Sequence, residues 1–118
     1  MVELGCGVGL LGICLHRVGA GPLTLTDGDI RTVTNCCSNL NLNDIFTSVS
    51  VKPRRHGDSS ALQQKKEDCE KVICSQLLWE KMSTEDAVAM QPDIIIGSDL
   101  LFDPGMCVVN IEVDIPTS

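Results

Sequence analysis

Three acidic residues in this chain each follow a short apolar or β-prone segment. Glu3 follows Met-Val, Asp27 follows Leu-Thr-Leu-Thr, and Asp99 follows an apolar run that closes on Gly-Ser. In an open parallel sheet, ligands bind beyond the carboxyl ends of the strands, so these three acids are expected to meet at one crevice. Carboxylates there suit a cationic ligand or hydroxyl groups that donate hydrogen bonds.

A glycine-rich turn over residues 4–12, LGCGVGLLG, directly follows Glu3. A strand, alternate glycines and then an apolar helix form the first βα unit of a nucleotide-binding α/β domain. Glycines in such a turn let the backbone approach a ligand closely and adopt dihedral angles that other residues avoid. Asp27 lies 20 positions after Gly7, the spacing expected of a carboxylate that accepts hydrogen bonds from ribose hydroxyls.

The turn is compatible with two cofactors. Its register Gly7-x-Gly9-x-x-Gly12 has the spacing of a dinucleotide fingerprint, which indicates NAD. Glu3 stands just ahead of that turn, and an acid suits a cationic ligand better than a pyrophosphate. S-adenosyl-L-methionine carries positive amino and sulfonium groups and no phosphate, so Glu3 favours it. A fragment of an NAD-binding dehydrogenase is the alternative.

Strand and helix patterns alternate along the chain and must position these residues. After the strand that ends in the glycine turn, strands are predicted at 23–26, 72–79 and within 92–99, and helices at 8–18, 30–40 and 84–90. Asp29 and Ser83 are placed to cap the second and third helices. The order predicts an α/β, Rossmann-like fold that contains strands one to four of a parallel sheet and lacks the later strands.

The 118 residues suffice for one domain at most. We expect a partial cofactor-binding domain over residues 1–104 and a divergent tail over 105–118. The polar, charged segment at about 46–71 is expected to be a flexible insertion. The first strand is nearly absent and no strand is predicted after residue 104, so we expect a chain that is truncated at both ends and inactive on its own.

Composition excludes several classes of function. The net charge of −7 argues against a nucleic-acid surface, which needs clustered positive charge. No apolar run is long enough to span a membrane and no secretory leader is recognisable, so we expect a cytoplasmic protein without a membrane partner. The seven cysteines lack the paired spacing of a metal site, and we expect reduced thiols and no bound metal.

Several motifs together resemble a known family. They are ELGCGVGLLG at the start, LTD before the second helix, an Asn-rich end of that helix, LLW, and PDIIIGSDLLFDP. This set resembles the seven-strand S-adenosylmethionine-dependent methyltransferases. Within them it is most similar to the family 16 protein-lysine methyltransferases and their elongation factor 2 lysine methyltransferase group. The resemblance implies methyl transfer to a lysine of a protein substrate, such as elongation factor 2.

The resemblance also implies a role for each matching residue. Four residues would line the methionine moiety of the cofactor: Glu3, Gly5, Gly7 and Gly9. Asp27 would bind the ribose and Trp79 would contact the adenine ring. Ser98 would lie behind the cofactor. Asp99 and Phe102 match the family's acid-x-x-aromatic element beside the target lysine. Structural readings remain open, because Trp79 could be a core ring and Asp99 a helix cap. A non-catalytic truncated isoform is a further alternative.

Overall fold

The structure, a computed structural model, describes residues 1–50 and 71–100. Its strands are β1 (Val2–Leu4), β2 (Leu23–Asp27), β3 (Val49–Ser50), β4 (Val72–Gln76) and β5 (Ile95–Gly97). Its helices are α1 (Leu10–Arg17), α2 (Ile30–Leu42) and α3 (Thr84–Met90), with a short 3-10 helix at Trp79–Lys81. The strands form one sheet in the order β3-β4-β2-β1-β5, and every pairing is parallel.

This architecture confirms the predicted α/β fold and parallel sheet. The three predicted helices are present, and Asp29 and Ser83 cap α2 and α3 as expected. In α3 the cap is reciprocal, because Asp86 N donates to Ser83 Oγ and Ser83 N donates to the Asp86 carboxylate.

Two features of the sheet differ from the prediction. β3 lies at the start of the segment predicted to be a flexible insertion at about 46–71, of which residues 51–70 lie outside the described residues. A strand of two residues is too short to show a periodic pattern. The predicted strand over 72–79 ends at Gln76 instead. β2 ends at Asp27, whose carbonyl accepts the hydrogen bond of Leu77 N. The residues after Leu77 therefore have no further residue of β2 to pair with. Trp79 consequently lies in the 3-10 helix.

The apolar core joins α1 and α2 to the two longest strands. Fully or nearly fully buried members include Leu23, Leu25, Val33, Cys36, Leu40, Val72 and Cys74. Ile13 and Leu15 of α1 pack against this cluster. Gly12 brings α1 close to the sheet, since a Cβ at this position would collide with the Leu25 side chain.

β1 is short but lies between two neighbours. Its residues pair with β2 on one side, where Val2 faces Thr24, and with β5 on the other, where Val2 faces Ile95. The buried Thr26 hydroxyl also donates to the Glu3 carbonyl at 2.7 Å, which fixes β1 against β2. β1 therefore positions Glu3 and the following glycine turn between β2 and the edge strand β5.

Candidate functional site

The glycine turn after β1 adopts backbone conformations that require glycine. Gly5, Gly7 and Gly9 have φ values of 65°, 55° and 89°, in the left-handed region. Gly9 N donates to the Cys6 carbonyl at 2.9 Å, which closes the turn just before α1 begins. A Cβ at Gly7 would meet no described atom within 4 Å, so the backbone there faces open space.

Glu3 buries its carboxyl group within β1, one residue before the strand ends. Only 2% of the residue is exposed, and its Oε2 has no hydrogen-bond partner in the described structure. Burial raises the pKa of Glu3 to about 7, because the charged form loses its hydration. A buried acceptor without a partner is costly, and it suits a ligand that brings a positive charge.

Asp27 ends β2 and is hydrogen-bonded to the glycine turn. Its Oδ2 accepts from Gly7 N at 3.3 Å, and its Oδ1 accepts from Asp29 N at 3.2 Å. The 20-residue spacing between Gly7 and Asp27 thus corresponds to a direct contact. A carboxylate has about four acceptor positions, so Asp27 retains capacity for hydroxyl groups of a ligand.

Three other predicted site residues follow β4 and β5. Trp79 is half-buried outside the core cluster, and its indole Nε1 is buried without a hydrogen-bond partner in the described structure. Ser98 and Asp99 are exposed just after β5, and Asp99 has a φ of 57°. These positions follow the carboxyl ends of parallel strands, at the edge of the sheet that also carries Asp27. Phe102 lies outside the described residues.

Leu100 contributes to this region and was not predicted from the sequence. A Cβ at Gly5 would lie 2.7 Å from Leu100 Cδ2, and one at Gly97 would collide with the same side chain. Leu100 therefore packs against the glycine turn and the end of β5 together. No local pattern marks a contact between positions so far apart in the chain.

The cysteines near the turn are thiols. None of the cysteines in the described residues forms a disulfide. Hydrogen bonding to Cys6 is the largest of several causes that raise the pKa of Cys36 to about 12, so this thiol is neutral at physiological pH. No group of three metal-ligating side chains in residues 1–50 and 71–100 is arranged to hold a metal ion.

The fold defines a class of protein: a Rossmann-like α/β domain in which a glycine turn follows a buried acid. Comparison with known sequences gives the family. The chain belongs to the lysine methyltransferase family, whose profile matches residues 1–108. The family match confirms the resemblance to family 16 methyltransferases, a family whose cofactor is S-adenosyl-L-methionine.

More distant relatives are ribosomal protein L11 methyltransferases of two strains of Bacteroides fragilis, ATCC 25285 and YCH46. Each is 38% identical to this chain over 65 residues, which is 55% of this chain and 22% of the relative. The chain thus matches about a fifth of the length of these curated relatives. No solved structure matches the chain significantly. In the described part of the chain, no helix has both the length and the apolar character needed to cross a membrane.

The described residues fit S-adenosyl-L-methionine. Within residues 1–50 and 71–100, the buried Oε2 of Glu3 has no hydrogen-bond partner and a Cβ at Gly7 would meet no atom within 4 Å. A pyrophosphate beside Glu3 would instead place like charges together. When bound, the cofactor supplies an electrophilic methyl group on its sulfonium.

Proposed function

We propose that this chain carries the cofactor-binding part of a cytoplasmic protein-lysine N-methyltransferase that modifies a translation factor. The observation that carries the proposal is the buried Glu3 carboxyl, whose Oε2 has no partner among the described residues, next to a glycine turn that is hydrogen-bonded to Asp27. Family membership supports the reaction type.

The turn and its two acids would hold the polar groups of the cofactor. In this proposal Glu3 receives the cationic methionine end, while Gly5, Gly7 and Gly9 let that end approach the backbone. Asp27 accepts hydrogen bonds from the ribose hydroxyls. Its own bonds to Gly7 N and Asp29 N orient the carboxylate before any ligand arrives.

Trp79 and Ser98 would complete the cofactor pocket. An aromatic ring against a nucleobase stabilises binding by roughly 1–3 kcal/mol in nucleic-acid complexes. The buried indole Nε1 of Trp79 has no described partner, so a ligand acceptor at this position would satisfy it. Ser98 follows β5 directly and would lie behind the cofactor.

Asp99 and Phe102 would position the substrate lysine. Methyl transfer needs a neutral amine aligned with the sulfonium methyl, so most of the catalytic contribution comes from orientation. The exposed Asp99 follows β5, where an incoming amine can reach it. We assign Phe102 to the same role from the family motif alone.

The substrate is proposed to be a protein of the translation apparatus, with elongation factor 2 as the specific candidate. The motifs resemble that group of methyltransferases, and the more distant relatives are named for methylating a ribosomal protein. Purified elongation factor 2 and ribosomal protein L11, offered separately with labelled cofactor to a form of the protein that methylates lysine, would distinguish the two targets.

Thermal unfolding with added ligands tests the cofactor assignment. S-adenosylhomocysteine at 100 times its dissociation constant should stabilise the folded chain by about 2.7 kcal/mol, and NAD should not. Glu3→Gln should weaken the S-adenosylhomocysteine effect, whereas the exposed Glu85→Gln, the same chemical change on α3, should leave it intact. A shift with NAD alone would support the dehydrogenase alternative and overturn the proposal.

A further inference from the structure

Helix α2 contacts the glycine turn at two points that no predicted role explains. Asn39 Nδ2 donates to the Val8 carbonyl at 2.8 Å, across 31 positions of sequence. One helical turn earlier, Cys36 packs against Gly9, where a Cβ would lie 2.7 Å from Cys36 Sγ. Residues three apart share a helix face, so a single face of α2 supports the turn.

The hydrogen bond from Asn39 acts on a peptide group that is already held at its other end. The Val8 carbonyl and Gly9 N–H belong to one planar peptide unit. Gly9 N donates to the Cys6 carbonyl at 2.9 Å, while Asn39 Nδ2 donates to the Val8 oxygen at the opposite edge of the same plane. Together the two hydrogen bonds fix the orientation of the whole plane.

This peptide group needs such a restraint because its surroundings permit rotation. Gly7 and Gly9 flank Val8, and glycine populates positive and negative φ about equally. Val8 itself is 59% exposed, so packing of its side chain does little to hold the residue. Cys36 limits the space on one side of Gly9 but forms no bond to the Val8–Gly9 peptide plane in the described structure.

We propose that Asn39 is a positioning residue for cofactor binding, which holds the Val8–Gly9 peptide in the conformation that the cofactor requires. The inference rests on the proposed function, because it assumes that the cofactor occupies the turn. When a turn samples several conformations, the apparent binding affinity equals the intrinsic affinity multiplied by the fraction of molecules in the binding-competent conformation. Asn39 raises that fraction before the ligand arrives.

The test compares Asn39→Ala with Asn43→Ala in the purified chain. Asn43 is a matched control, because its Nδ2 also donates to a carbonyl at 2.8 Å, that of Asn39, at the end of the same helix. S-adenosylhomocysteine affinity is measured by calorimetry, and amide exchange of Gly9 is measured by NMR without ligand. Asn39→Asp, which keeps the size and loses the donor, serves as a second variant.

Asn39→Ala and Asn39→Asp should weaken S-adenosylhomocysteine binding about fivefold, the equivalent of one net hydrogen bond, and should speed exchange at Gly9. Asn43→Ala should change thermal stability without changing either readout. Unchanged affinity and Gly9 exchange in both Asn39 variants would overturn the inference. If the wild-type chain bound no S-adenosylhomocysteine, the proposed function would fail, and Gly9 exchange would decide the role of Asn39 in the turn.

Discussion

Glu3 holds a carboxyl group in a place where the charged form is costly to the unliganded fold. Its pKa of about 7 in the folded chain lies above the ordinary value of 4.5, so between these values the folded chain binds more protons than the unfolded chain. The free energy of unfolding should therefore fall as the pH rises through this window, by up to about 3 kcal/mol. The Glu3→Gln variant has no ionisable group at this position, so its free energy of unfolding should lack this decrease with pH.

Urea unfolding at pH 5 and pH 8 measures the effect directly. Wild type should have a lower unfolding free energy at pH 8, Glu3→Gln should show a smaller difference, and Glu85→Gln should behave as wild type. Parallel pH profiles for wild type and Glu3→Gln would show that Glu3 ionises normally in the folded chain.

Asp99 combines a proposed role in substrate binding with a left-handed backbone, φ 57°. Asn tolerates this conformation as Asp does, whereas Ala carries a penalty of roughly 1–2 kcal/mol. Asp99→Asn should therefore leave thermal stability and S-adenosylhomocysteine affinity near wild type, and Asp99→Ala should lower stability. In any form of the protein that methylates lysine, both Asp99 variants should lower the methylation rate. Transfer of a labelled methyl group measures that rate. Wild-type rates of methyl transfer by the Asp99→Asn variant would show that the Asp99 carboxylate has no part in substrate binding.

At this scale the sequence predicts candidate site residues but not the contacts among them. The 20-residue interval between Gly7 and Asp27 indicated Asp27 as a candidate ribose ligand, whereas the hydrogen bond between these two residues is known only from the structure. Asn39 and Leu100 were missed because their contacts with the turn arise from the packing of distant segments. The roles of the proposed catalytic and cofactor-binding residues stay predictions until ligand binding is measured.

The packing of α1 on β2 depends on the absence of a side chain at Gly12. A Cβ there would collide with the side chain of Leu25, which is fully buried. Overpacking costs about 1–3 kcal/mol, which exceeds the gain of roughly 1 kcal/mol from replacing a helical glycine by alanine. Gly12→Ala should therefore destabilise the chain in chemical denaturation.

Two further variants isolate that contact. Leu25→Val should recover part of the loss when combined with Gly12→Ala, which a double-mutant cycle detects as a coupling energy. Gly21→Ala is the control, because a Cβ there would meet no described atom within 4 Å and φ is not in the positive range. Equal effects of Gly12→Ala and Gly21→Ala would mean that close helix packing is not limiting.

Periodic elements were predictable and irregular ones were not. Helices α1, α2 and α3 follow apolar spacing and capping signals, and their predicted bounds are close to those observed. Gly12, the third glycine of the Gly7-x-Gly9-x-x-Gly12 spacing, admits α1 close to the sheet. β4 ends where its neighbour β2 ends, and the apolar sequence of residues 72–79 carries no information about the end of β2.

Burial is distributed unevenly over the whole molecule. Among the described residues, no side chain after Leu77 is buried, although that part of the chain includes α3 and β5. Native-state hydrogen exchange should therefore show faster opening in α3 and β5 than in β2 and β4. S-adenosylhomocysteine should slow exchange around Trp79 and Ser98 if these residues contact it. Uniform protection across all strands would contradict this prediction.

The short β1 has a consequence for cooperativity. Its three residues pair with the well-packed strand β2 on one side and with the sparsely buried β5 on the other. In such a chain β5 and α3 can unfold before the remaining elements do. A denaturation curve of the unliganded chain would then report mainly the unfolding of the core around β2 and β4. Its m value, which scales with the surface exposed, should then increase when S-adenosylhomocysteine links both sides into one cooperative unit.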